Sequence, residues 1–195
     1  MPKIIGLTGG IGSGKTTVAN YLISLGIPVY IADNAGRKVM QTQEVLEAIK
    51  EEFGTAVFDE NQLNRAKLAQ VVFDNPDRLQ VLNSIVHPAV RKDFEEWLIQ
   101  HQKDFIVVYE SAILFESGRF TEFDYIMAIT APLEDRISRV LERDNVSRDK
   151  VLSRINAQWT DEQRLSKSDF AIDNIDFDKT KLKIDEILKI LSINQ

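Results

Sequence analysis

Gly9, Gly10, Gly12 and Gly14 fall within six residues and are followed at once by Lys15 and Thr16. These residue types at this spacing, G-x-x-x-x-G-K-[ST], form a phosphate-binding loop (P-loop). Glycine permits backbone conformations in which the N–H groups of Ile11, Gly12, Ser13 and Gly14 converge on phosphate oxygens with no Cβ in the way. A helix beginning near Gly14 adds its positive end. Lys15 reaches the β- and γ-phosphates, the Thr16 hydroxyl is a ligand for the Mg²⁺ that bridges them, and Thr17 supplies a second hydroxyl at the same helix start. A nucleoside triphosphate with Mg²⁺ is the expected ligand.

The elements around this loop must hold it rigid. Ile4–Thr8 is a short apolar run ahead of it, and Thr17–Ile23 continues behind it as a helix that Gly26 stops. Val29–Ala32 reads as a second strand ending on Asp33. At the carboxyl end of a strand in an open α/β sheet, that carboxylate would meet the reacting phosphate; the alternative is an N-cap for the next helix. Arg37, one turn on, would face the same cleft. Phe105–Tyr109 is an unbroken apolar third strand leading to Glu110 and Glu116, either of which can hold a metal's water shell or sit as a surface carboxylate. Asp124–Ile129 and Phe170–Ile172 read as the fourth and fifth strands, and Ile184, Ile187, Leu188 and Leu191 as the sheet-covering face of a last helix. Alternating strands and helices predict an α/β fold with a five-stranded parallel sheet.

Residues 34–102 read as interrupted helices. Val45, Leu46, Ile49 and Phe53 share a helix face that Gly54 ends, Asn64 caps a helix, and Pro76 and Pro88 each mark a helix start. His87, beside Pro88, reads as a packed structural residue, His101 as surface, and Phe94, Trp97 and Leu98 as core. Pro132 starts a helix over Leu133–Asp144 that carries Arg136, Arg139 and Arg143 along one face, able to clamp a transferring phosphoryl group or simply to be solvated. Ser147 is the expected cap of the next helix, and Thr160 with Gln163 has capping-box spacing.

The 195 residues allow one sizeable core and an inserted lobe. A net charge of -6 disfavours nucleic acid as a partner. The absence of cysteine excludes disulfides and thiolate metal sites. No apolar run approaches the roughly 18 residues of a membrane span, so a cytoplasmic protein with no membrane partner is expected. Asp33–Gly36 matches D-x-x-G, yet no N-K-x-D guanine reader follows. A small-molecule kinase, with a strand-two carboxylate, an acceptor lobe and an arginine lid, accounts for more of the chain than an ATPase motor or a GTPase; a nucleotide-dependent switch is the rival from another class.

The sequence resembles the dephospho-coenzyme A kinase family. The likeness rests on Leu7–Lys15, Asp33 with Arg37, Phe53-Gly54, Asn64-Arg65 with Leu68, Val72-Phe73, the His87–Val90 block, Leu114-Phe115-Glu116, Arg139 through Asp144, Arg154 with Gln158, and Asp169–Asn174. The resemblance implies ATP- and Mg²⁺-dependent phosphorylation of the ribose 3′-hydroxyl of dephospho-CoA on a P-loop kinase fold. It implies a core over residues 1–33, 103–132 and 168–195, a helical acceptor-binding insert over 34–102 and a helical lid over 133–167. By the same likeness Asp33 is the base, Arg139 and Arg143 belong to the lid, and Asn174 lies near the adenine. Arg37, His87, Leu114, Phe115 and Glu116 then fall on the acceptor side. The chain departs from the family's Pro-Leu-Leu-Phe-Glu run, having Ala112-Ile113 ahead of Leu114, with Glu110 and Ser111 where apolar residues are common; Thr16 replaces a frequent serine. A kinase of another nucleotide or nucleoside is the enzyme alternative.

Overall fold

The computed structural model describes residues 1–73 and 75–193, the side chain of Ile193 excepted; Asn194 and Gln195, the end of the expected core segment, lie outside the described residues. In chain order the elements are β1 (Lys3–Gly9), α1 (Lys15–Ser24), β2 (Val29–Ile31), α2 (Ala32–Val39), α3 (Gln43–Phe53), β3 (Phe58–Asp59), β4 (Gln62–Leu63), α4 (Arg65–Phe73) and α5 (Pro76–Gln100). They continue as β5 (Ile106–Glu110), β6 (Tyr125–Thr130), α6 (Leu133–Asp144), α7 (Arg148–Asn156), α8 (Asp161–Leu165), β7 (Phe170–Asp173) and α9 (Phe177–Ile193). The chain divides into two compact units, residues 1–30 with 101–195, and residues 31–100.

The first unit is organised by a five-stranded sheet in the order β2-β5-β1-β6-β7. β1 pairs in parallel with β5, with Leu7 opposite Glu110, and with β6, with Gly9 opposite Ile129. β6 pairs in parallel with β7, which puts Thr130 beside Asp173. All five residues of β5 are buried, as expected for a strand covered on both faces. Ile5 and Leu7 of β1, Val18 and Leu22 of α1, Met127 and Ile129 of β6, and Ile184, Ile187 and Leu191 of α9 form one apolar cluster, so the strand before the loop and the helix after it are fixed to each other. Ile137, Val140 and Val151 join α6 to α7 in a smaller cluster that Ile11 of the loop packs against.

The second unit has its own core of Val45, Ile49, Val57, Leu63, Leu68 and Val72, flanked by Leu82, Ile85 and Ala89 of α5. Two expectations fail here. Pro88 does not start a helix but lies inside the 25-residue α5. A mid-helix proline forfeits a hydrogen bond and clashes with the turn before it, yet Leu82, Ile85 and Ala89 bind the helix to the core on both sides of the proline. Nor is the unit wholly helical: β3 and β4 form a small antiparallel hairpin, Phe58 opposite Leu63. Its turn is Glu60 (φ 47°) and Asn61 (φ 76°), two left-handed residues in the manner of a type I′ turn. Asn64 does cap α4, its Oδ1 accepting from the amides of Ala66 and Lys67 at 3.0 Å each. His101, in the first unit, is not a bare surface residue, since its Nδ1 lies 2.8 Å from Asp104 Oδ2.

Candidate active site

The loop between β1 and α1 is gripped from outside by α6, the segment after α7, and the end of β7. Arg136 Nε donates to the Ile11 carbonyl at 2.9 Å, and Gln158 Oε1 accepts from the Ile11 amide at 2.9 Å. Arg139 Nη1 lies 3.4 Å from both the Gly12 and the Ser13 carbonyl, and its Nη2 donates to the Asn174 carbonyl at 2.7 Å. Asn174 Nδ2 donates to the Ser13 carbonyl at 2.9 Å, while its Oδ1 accepts from Thr180 at 3.1 Å. In a trans peptide the N–H points opposite to the C=O. The carbonyls of Ile11 and Ser13 are tied outward, so the amides of Gly12 and Gly14 turn the other way; the amides of Ile11 and Ser13, also expected to face phosphate, instead donate to Gln158 and to the Gly10 carbonyl at 3.0 Å. Gly12 and Gly14 have φ of 79° and 88°, and a Cβ at Gly14 would collide with Asn174 Nδ2. Glycine is therefore required there both for the backbone angle and for the approach.

α1 opens on Gly14 with no side-chain cap. The first amides of a helix lack an intrahelical acceptor and carry its positive end, so the start of α1 is a ready anion site. Ser13 Oγ is buried and makes no hydrogen bond among the described residues. Thr16 and Thr17 expose their side chains at this helix start. Lys15, the one ammonium in the loop, is only 11 % exposed in its side chain and forms an ion pair with Glu110, itself 5 % exposed. Glu110 thus holds the lysine at the carboxyl end of β5 beside the loop's own strand.

These residues fit a triphosphate. A Mg²⁺ arriving with it would keep waters and take phosphate oxygens beside one or two protein ligands. The exposed Thr16 hydroxyl is the group suited to that part.

The remaining expected site residues are placed as follows. The three arginines of α6 do not act as one face. Arg136 is buried in the loop contact, Arg139 spans the loop and Asn174, and Arg143, 61 % exposed in its side chain, pairs with Asp144. Seven residues of helix spread them over about 10 Å of axis, so each reaches a different acceptor. Leu114 and Phe115 are 1 % and 2 % exposed, which makes them core rather than surface for a ligand to touch. Phe115 stacks on Trp159 at 5.2 Å, the planes 5° apart. Glu116 Oε1 accepts from the Trp159 amide at 2.9 Å. Asn174 is buried and spends its amide on Ser13 and Thr180. In the second unit, Asp33 is exposed in the first turn of α2 rather than at its N-cap, which is Ile31. Arg37 is exposed one turn later, and His87 is half-buried on α5. Two contributors escaped the sequence reading in their structural roles: Gln158, whose only local signal is its place just past a helix, and Arg164, a charged residue that nothing local marks as buried.

The family model described as dephospho-CoA kinase matches residues 3–178. The chain belongs to that family. A dephospho-CoA kinase of Bacteroides fragilis (strain YCH46) is 38% identical over 189 residues, covering 96% of this chain and 91% of that protein. A crystal structure of a Thermus thermophilus protein superposes with a TM-score of 0.90 at 35% identity, 97% of each chain being covered. The dephospho-CoA kinase from Campylobacter jejuni gives a TM-score of 0.73 at 26% identity over 100% of both chains. A shikimate kinase from Aquifex aeolicus, at 20% identity and a TM-score of 0.53, shares the fold alone.

Proposed function

We propose that this chain transfers the γ-phosphoryl group of ATP to the ribose 3′-hydroxyl of dephospho-CoA, giving coenzyme A and ADP. The observation that carries this reading is the match of the dephospho-CoA kinase family over residues 3–178. The amides of Gly12 and Gly14 and the start of α1 receive the β- and γ-phosphates. Lys15 exchanges Glu110 for phosphate oxygens, which keeps a buried cation partnered before and after nucleotide arrives. Asp33, two residues past the end of β2, accepts the proton of the 3′-hydroxyl as its oxygen bonds to the γ-phosphorus, and the bond to the ADP oxygen breaks in line. Arg139 and Arg143, on the proposed lid over residues 133–167, stabilise charge on the transferring group. Mg²⁺, when bound with Thr16 as its protein ligand, neutralises charge on the phosphates.

Residues 34–102, with Arg37 and His87, are the proposed acceptor-binding part, and Glu116, in the loop after β5, is a further proposed acceptor-binding residue. The net charge of -6 and the absence of cysteine support a cytoplasmic enzyme whose partner is a small molecule. No helix among the described residues is long and apolar enough to cross a membrane. The test is ADP production with dephospho-CoA as the varied acceptor, with phosphorus NMR of the product. ADP formed in step with a new 3′-monoester is expected. ADP formed without acceptor, or phosphate on another hydroxyl, overturns the reading.

A further inference from the structure

Arg164 on α8 has no part in the chemistry above, yet it is among the most completely buried large side chains, at 1% exposure. Its Nη1 donates to Asp161 Oδ1 at 2.9 Å. Its Nε and Nη2 have no hydrogen-bond partner among the described residues. Glu116 Oε1, at 3.6 Å from Nη2, is too distant to be one. Burial pushes the guanidinium's pKa down, against the pull of Glu116 and Asp161. A cation desolvated with two idle donors destabilises a fold unless something else is gained.

The gain is not the neutralisation of a stranded acid. Asp161 already receives Arg136 Nη1 at 2.9 Å, and Glu116 already receives the Trp159 amide at 2.9 Å. What Arg164 abuts is the loop itself. A Cβ on Gly10 would sit 2.8 Å from Arg136 Cζ and 3.1 Å from Arg164 Nη1. Two buried guanidiniums bridged by Asp161 thus press on the first half of the segment that must accept a polyanion, and one of them also holds Ile11.

We propose that Arg164 is a positioning residue for the nucleotide. Acting through Asp161 it fixes Arg136 against Ile11, and its buried positive charge behind Gly10, paired with Asp161 and Glu116 but with two donors idle, makes the loop favour a triphosphate. This rests on the kinase reading and names how that same site is tuned.

The test is the Arg164→Met variant, which keeps the bulk and removes the charge. Three quantities decide it: the thermal midpoint without ligand, the Kd for ATP by calorimetry, and the KM for dephospho-CoA. Removing one partner of a buried pair is costly when it strands the other charge, but here Asp161 keeps Arg136 and Glu116 keeps the Trp159 amide, so the midpoint is expected to hold or rise. The Kd for ATP is expected to rise about tenfold, equivalent to about 1.4 kcal/mol, with the acceptor KM unchanged. Arg164→Lys is expected to restore most of the ATP affinity. An unaltered Kd for ATP in the Met variant overturns the proposal. So does a Lys variant as weak as Met, or a loss of ATP affinity matched by an equal loss for the acceptor. If the Met variant does not fold, Arg164→Gln carries the same comparison. Wild-type protein that binds ATP but does not phosphorylate dephospho-CoA would sink the functional reading and leave this one standing.

Discussion

The two compact units solve different problems with the same residue types. In the first, charged side chains are buried or half-buried around the loop: Arg136 and Arg139 on loop carbonyls, Lys15 on the Glu110 carboxylate, and Arg164 behind Gly10. In the second, the ion pairs Lys38–Asp93 and Lys67–Asp59 each have an exposed member, the unit is held by an aliphatic core, and Asp33 and Arg37 stand exposed on α2. Buried charge fixes a site in advance at a cost in stability, whereas exposed charge costs little and fixes little. On the proposed reading, the first unit is organised before nucleotide arrives, and the second offers exposed polar groups to the acceptor.

The largest expected effect comes from breaking the buried pair. Lys15→Met leaves Glu110 uncompensated and should destabilise the protein by about 3 kcal/mol and lower turnover by roughly 10²- to 10³-fold. Adding Glu110→Met should return much of the stability and none of the turnover. Recovery of both in the double variant would show that the lysine serves the fold alone.

Glycine substitutions sharpen the contrast between the units. Gly14 has φ of 88° and meets Asn174, so Gly14→Ala should destabilise by more than about 1 kcal/mol and weaken ATP binding. Gly36 lies inside α2 with nothing within 4 Å of its missing Cβ. There the alanine variant should stabilise by about 0.5–1 kcal/mol. Denaturant midpoints with and without ATP check both, and equal responses from the two variants would erase the distinction.

The smallest effect concerns the surface of α6. The Asp144 carboxyl is held below its ordinary value, first by a hydrogen bond from Arg143 and further by Arg154. A depressed folded value contributes stability above the unfolded carboxyl's pKa of about 3.9, and that contribution is lost as pH falls through the folded value. Asp144→Asn should lower the thermal midpoint slightly at neutral pH and converge with wild type in acid. Parallel midpoint curves down to the lowest pH would contradict it.

Local signals carried the framework. The glycine spacing, the apolar strand expected at residues 105–109 and found one residue on at Ile106–Glu110, the bounds of α6 at Leu133 and Asp144, and the Thr160/Gln163 capping box, both of whose bonds form, all depend on neighbours a few residues away. What local signals cannot carry is choice among distant partners. The arginines of α6 share a face by periodicity, yet which becomes buried depends on where Ile11, Asp161 and Asn174 lie. Pro88 looks like a helix start until the packing of Ile85 and Ala89 overrides it. The hairpin at Phe58–Leu63 is two residues per strand, too short for alternation to register. Leu114 and Phe115, grouped with a functional acid by motif, are covered by long-range packing, Phe115 by Trp159.

The division of labour is tested most directly on Asp33→Asn, by measuring the Kd for ATP and the turnover with dephospho-CoA on the same preparation. A general base carried by the second unit predicts ATP affinity equal to wild type and turnover lower by roughly 10²- to 10⁴-fold. Turnover at the wild-type level, or ATP affinity lost together with turnover, would contradict the account.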